Sequence, residues 1–161
     1  MDRAAKAIEQ WKRERPDLDV TPMAVLGRLS EAASLIARER LAPLFARFGL
    51  QSGEFDVLAT LRRSGSPYAL TPTALYEATM VTSGAMTNRL DRLEKAGLIR
   101  RAPHPSDRRG VVVQLTEKGR DLIDEALAAH LANEHQILSG LTRTEREALA
   151  NLLRKLIASL S

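Results

Sequence analysis

Residues 81–119 read VTSGAMTNRLDRLEKAGLIRRAPHPSDRRGVVVQLTEKG, and this stretch decides the fold. In its first half Met86, Leu90 and Leu93 stand at 0, +4 and +7, so a helix over 83–96 turns them to one side as an anchor. Opposite them lie Gly84, Ala85, Asn88, Arg92 and Lys95. Two short segments follow, 98–103 and 111–115, the second with Val111, Val113 and Leu115 on one face, as a strand requires. His104, Pro105, Ser106, Asp107, Arg108, Arg109 and Gly110 form the basic turn between them. Thr116 then starts another helix. The order is that of a recognition helix followed by a wing.

The charge distribution agrees. The chain of 161 residues carries 24 Lys and Arg against 20 Asp and Glu. Residues 83–120 hold nine of those bases and four of the acids, so the rest of the chain sums to minus one. A local cationic excess of this kind suits a surface that meets phosphates. The absence of cysteine excludes disulfides, thiol redox sensing and thiolate metal sites. Rings make up 4% of the chain, few for a single-strand binder built on base stacking. No apolar run is long enough for a membrane span, and the first residues lack the apolar core of a signal peptide, so a cytoplasmic protein is expected.

Working outward, a single domain over 1–161 is expected, mainly α with a small β-hairpin wing. Residues 1–15 form an extra N-terminal helix with Ala4, Ala7, Ile8 and Trp11 on one side, ended where Arg15 precedes Pro16. Thr21 is the expected cap, with Pro22 at the first helical position, of a long helix over 21–48 that Pro43 kinks or splits. Residues 52–115 form the winged helix-turn-helix. There Ser52 is the expected cap of a helix carrying Phe55, Val57, Leu58 and Leu61, and Thr71-Pro72 opens a short helix to Thr79. A turn over 80–82 leads into the recognition helix. Residues 116–161 supply two more helices, the last with a Thr142–Glu145 capping box and an apolar stripe of Leu149, Leu152, Leu153, Leu156, Ile157 and Leu160.

Small residues at the start of the recognition helix let its backbone approach a groove. Asn88 can pair bidentately with adenine, Arg92 with guanine or a phosphate, and Lys95 suits a phosphate. Arg108 and Arg109, at a hairpin tip, can enter a narrow minor groove. Asp107 is placed to hold one of them. Ser83, Thr87, Asn88, Arg92, Lys95, Arg108 and Arg109 form the expected DNA-binding set. An ordinary mixed-charge surface helix and a solvated turn are the alternatives that the same residues permit.

The run over 83–119 resembles the MarR family of winged-helix transcriptional regulators. The matching pieces are NRLDRLEKAGLIRR, the D-x-R of Asp107 and Arg109, and the L-T-x-x-G of Leu115, Thr116 and Gly119. The resemblance extends over nearly the whole chain. It implies a homodimer interlocked through its terminal helices, here 21–48 and 116–161, with two winged helices on a palindromic operator whose half-sites lie about one helical turn apart.

A narrower resemblance is to the urate-responsive, PecS-like branch of that family. In that branch a tryptophan on an extra N-terminal helix, an aspartate and two arginines form or couple a ligand site. Trp11, Asp56, Arg89 and Arg101 match those positions and are the implied ligand-binding residues, with urate or another purine or phenolic anion as effector. The chemistry is coherent: a ring stacks on a flat purine and guanidinium groups hold an anion. Arg89 sits about 60° from the apolar centre of the recognition helix by the ~100° step, so an anion that takes it would alter DNA reading. Asp56, beside an anion, must be protonated or hold an arginine. Asp56 also suits a helix N-terminal turn, Arg89 a phosphate or a bridge to Asp91 or Glu94, and Trp11 a packing role.

Other classes have less support. The chain has no G-x-S-x-G, phosphate-binding glycine loop or H-E-x-x-H, so neither an enzyme nor a cofactor is expected. His130 and Glu134 are one helical turn apart, but His135 faces elsewhere, so no metal site is expected. A winged-helix protein-interaction module and a non-specific DNA binder without a ligand remain as rival functions.

Overall fold

The computed structural model describes residues 2–79, 83–107 and 110–160, with the side chains of Ser83 and Gly84 outside the description. The turn over 80–82 and the wing residues Arg108 and Arg109 therefore lie outside it too. The chain divides into two compact units, Met1–Pro43 and Leu44–Ser161.

In the first unit α1 (Arg3–Glu14) starts at Asp2, whose carboxylate accepts the Ala5 N–H at 2.8 Å. Ion pairs from Arg28 to Asp2 at 2.9 Å and from Arg3 to Glu31 at 3.4 Å tie it to α2 (Met23–Leu35). Between these two contacts Ala4 packs on Gly27, where an added Cβ would stand 3.2 Å from its own. Thr21 is not the cap expected of it. Its hydroxyl donates to Asp19 Oδ1 at 2.7 Å, and its N–H donates to the same oxygen at 3.0 Å, which leaves α2 without a side-chain cap. The split expected near Pro43 takes the form of a π-helical turn, Ile36–Leu41, followed by α3 (Ala42–Ala46). Proline lacks an N–H and crowds the carbonyl four residues back. The widened turn accommodates it, with the Ala42 N–H bonding to Ala37 O, five residues back.

The second unit is built on α4 (Ser52–Arg63). Here the cap is Gln51 rather than Ser52, because Glu54 reaches back to accept the Gln51 N–H at 2.8 Å and closes a reciprocal capping box. Phe55 of α4 stacks on Phe45 with ring centroids 4.3 Å apart, and Val57, Leu58 and Leu61 are buried. Next come β1 (Ala69–Leu70), α5 (Pro72–Ala78), α6 (Ser83–Lys95), β2 (Ile99–Pro103), β3 (Val111–Leu115), α7 (Glu117–Ile137) and α8 (Arg143–Ala158).

The hairpin is one part of a three-stranded antiparallel sheet ordered β1-β3-β2. Ile99 faces Leu115 and Pro103 faces Val111, while Ala69 and Leu70 pair with Gln114 and Val113. The two-residue β1 is too short to show a period of two, so pattern reading misses it. Val113 and Leu115 are buried, as expected, but Val111 is exposed where the hairpin runs beyond the core, and Val112 on the other face is buried instead.

The expected Thr71 cap of α5 is present, accepting the Ala74 N–H at 3.1 Å. So is the Thr142–Glu145 box of α8, in which Glu145 accepts the Thr142 N–H at 2.7 Å. Among the described residues no helix is long and apolar enough to cross a membrane.

Candidate nucleic-acid interface

The recognition helix is held from behind and at both ends. Met86, Leu90 and Leu93 are all buried, which turns Thr87, Asn88, Arg92 and Lys95 to the exposed side. Upstream, Arg63 of α4 donates to the Ala78 carbonyl at 3.1 Å and the buried Thr79 hydroxyl to Leu75 O at 2.9 Å, which fixes the end of α5. Downstream, Gly97 takes φ +73°, and the Leu98 N–H bonds back to Leu93 O at 3.0 Å, a left-handed stop that sends the chain into β2. Lys118 of α7 donates to the Ala96 carbonyl at 2.8 Å, placing a cation at the negative end of α6.

The L-T-x-x-G motif explains itself here. The Thr116 hydroxyl accepts the Gly119 N–H at 3.0 Å and donates to Gly97 O at 2.7 Å. The Thr116 N–H bonds to Leu98 O at 3.1 Å, and a Cβ on Gly119 would lie 1.9 Å from that same oxygen. The start of α7 is thus clamped on the end of α6.

The arginines divide by partner. Arg92, on the exposed face, brings its Nε to 2.7 Å from Oε1 of the buried Glu54. Arg101 of β2 binds two acids of α6: Asp91 at 2.6 Å and Glu94, whose carboxylate also accepts the Arg101 N–H at 3.0 Å. The hydrogen bond that Arg101 donates to Asp91, joined by Glu94, pushes its guanidinium above its usual range. The bridge that Arg89 was a candidate for is therefore made by Arg101. Arg100 pairs with Gln114 at 2.8 Å across the sheet.

Arg89 instead places its guanidinium against Gly53 at the N-terminal turn of α4. A Cβ on Gly53 would be 2.3 Å from its Nε and Cζ, so any larger residue there would make the Arg89 side chain move from this seat. Its Nη1 is buried without a partner. Pattern reading passed over Gly53, although a glycine at the second position of a helix is a signal for close approach. Arg89 also lines an open cleft of about 560 Å³ with Gln51, Ala85, Asn88, Asp91 and Arg92. Among the described ion pairs and hydrogen bonds, none joins Asp56 to Arg89. Trp11 is on α1 of the first unit, 44% exposed.

At the wing, His104 Nδ1 accepts the N–H groups of Ser106 and Asp107, each at 3.2 Å, and the Gly110 carbonyl accepts the His104 N–H at 2.9 Å. These bonds tie His104 to Ser106, Asp107 and Gly110 on the two sides of the turn. His130 meets Glu134 at 3.1 Å, but its ring packs on Phe45 and Phe55. Among the described residues no group of three metal-ligating side chains occurs.

A helix anchored by three buried residues and clamped to its neighbours, with a basic hairpin beside it, defines a winged helix-turn-helix. Comparison with known proteins gives the family. The chain belongs to the MarR family, whose profile matches residues 48–110. It is 47% identical to the HTH-type transcriptional regulator PecS of Dickeya dadantii, over 91% of this chain and 87% of that protein. Its fold matches a mutant MarR from Escherichia coli solved with operator DNA: TM-score 0.73, 28% identity, 86% of this chain and 99% of that one. It also matches Bordetella bronchiseptica BpsR, from a study of how 6-hydroxynicotinic acid regulates that protein's DNA binding: TM-score 0.68, 29% identity, 82% and 91% covered. The chain is a DNA-binding transcriptional regulator.

Proposed function

We propose that the protein is a homodimeric repressor that reads a palindromic operator through α6 and the wing and is released by a small aromatic anion such as urate. Ser83, Thr87, Asn88, Arg92 and Lys95, with Arg108 and Arg109, form the DNA contact set. Arg89, aided by Asp56 and Arg101, receives the anion, and the PecS-like resemblance adds Trp11. The dimer reading is supported by the apolar residues that α7 and α8 leave exposed, among them Leu131, Leu149 and Leu152.

One observation carries the ligand reading. The Arg89 guanidinium sits on the N-terminal turn of α4 with a buried, unpartnered Nη1. A cation beside the positive end of a helix is unfavourably placed, and a buried unpaired donor costs free energy. An anion in the adjoining cleft relieves both. The cleft shares Asn88 and Arg92 with the DNA contact set, so ligand and operator compete for one helix. The regulation of BpsR by 6-hydroxynicotinic acid, an aromatic acid, supports an effector of this class.

The test is binding to a duplex from the upstream region of its own gene, with and without urate, and calorimetry with urate on wild type and Trp11→Phe. Tight, salt-sensitive binding that urate releases supports the whole reading. Binding that urate leaves unchanged, with no heat at millimolar ligand, removes urate but leaves the repressor. No duplex binding would bring the protein-interaction reading forward.

A further inference from the structure

Glu54 stands behind the recognition helix in surroundings that its capping role does not account for. It is 2% exposed. Its Oε2 accepts the Gln51 N–H at 2.8 Å, and that completes the capping box. A capping box works with Gln as well as Glu at this position, so the charge is not needed for it. The second oxygen, Oε1, is buried and has no aligned hydrogen bond, and its near neighbour is the Arg92 Nε at 2.7 Å. A carboxylate taken so far from water is unfavourable unless a cation offsets it. The cation here comes from the face of α6 turned to solvent, where the Arg92 side chain is 57% exposed.

The ion pair draws the Nε corner of the guanidinium to Glu54, and because the group is a rigid plane its far edge is turned the other way. With Nε at Glu54, the Nη1 and Nη2 edge is left without a partner among the described contacts. That edge is the one that pairs bidentately with guanine O6 and N7 in a major groove. An unheld arginine on the same helix would instead follow the nearest phosphate, which carries no sequence information.

We propose that Glu54 is a positioning residue for base readout: it grips Arg92 at Nε, presents the Nη edge to a guanine, and by its own charge weakens attraction to phosphates in general. The proposal rests on the DNA contact set assigned above.

The test uses the full-length protein and a duplex selected from random oligonucleotides by the wild type. Glu54→Gln keeps the size and the cap but removes the charge. The ratio of affinity for the selected duplex to that for random duplex should fall roughly tenfold, the worth of one good bidentate base contact. Binding to random DNA should hold or rise. In an Arg92→Ala background the same change should leave the ratio where Arg92→Ala put it. A purely structural Glu54 would lower both affinities together and act additively with Arg92→Ala. That result, or a ratio within about twofold of wild type, the scatter expected of independent sites, overturns the proposal. If Glu54→Gln does not fold, the Arg92 Nε–H resonance of the wild type decides. Slow exchange with water supports the grip, and fast exchange refutes it. A wild type with no preference for any duplex would defeat the DNA assignment itself, which is a distinguishable failure.

Discussion

One glycine in the second unit places the recognition helix by having no side chain. Gly119 lets α7 start against the Leu98 carbonyl, where an added Cβ would be 1.9 Å from a backbone oxygen that cannot swing away. Gly119→Ala is therefore expected to destabilise the fold by roughly 3 kcal/mol, the upper range for overpacking, read as the shift in a urea unfolding curve. A loss under about 1 kcal/mol would mean that the clamp yields. Asn88 and Arg109 should separate by what they read. Asn88→Ala should relax the preference at one base position by ~1–3 kcal/mol, while Arg109→Ala should weaken binding to all duplexes alike. Competition against single-base operator variants tells them apart, and equal effects on operator and random DNA would contradict the assignment. At this scale the sequence was half legible. The L-T-x-x-G motif named Thr116 and Gly119, but nothing local says that Arg101 bridges to Asp91 and Glu94 while Arg89 lies on Gly53. Those partners are set by elements far apart in the chain.

The helices stop and start where their capping residues are, and here the sequence was most legible. The Thr71 and Thr142 caps are where their spacing puts them. The Thr21 and Ser52 caps are not, because Asp19 takes the Thr21 hydroxyl and Glu54 draws the cap of α4 back to Gln51. The box of α8 gives a pH prediction. The hydrogen bond from the Thr142 N–H holds the Glu145 carboxyl below its ordinary value of 4.5. A group whose pKa is depressed on folding stabilises the folded state above its ordinary pKa. That contribution fades as pH falls through the folded value. Amide hydrogen exchange along the first turn of α8 should accordingly lose protection, relative to a Glu145→Gln control, on going from pH 6 to below pH 4. An unchanged ratio would show that the box is not closed in solution.

For the molecule as a whole, the excess of basic residues over 83–120 predicts how it meets DNA. Affinity for any duplex should fall steeply with salt, by about 0.9 in the log–log slope for each phosphate neutralised. Titration between low and physiological salt measures this, and a flat response would favour a protein-interaction module. The count of bases sets an upper bound, since Arg92, Arg100, Arg101 and Lys118 already have protein partners. The sequence by itself determined the order of elements, the anchored face of α6, the local charge and the family. Each of these is written in periodicity, caps and motifs within a few turns of chain. Only the tertiary structure decided the third strand, the clamp of Gly119 on Leu98, the seat of Arg89 and the grip of Glu54 on Arg92. Those are contacts between α4, α6, the sheet and α7, and a buried charge or a missing Cβ acquires its meaning only from what folds against it.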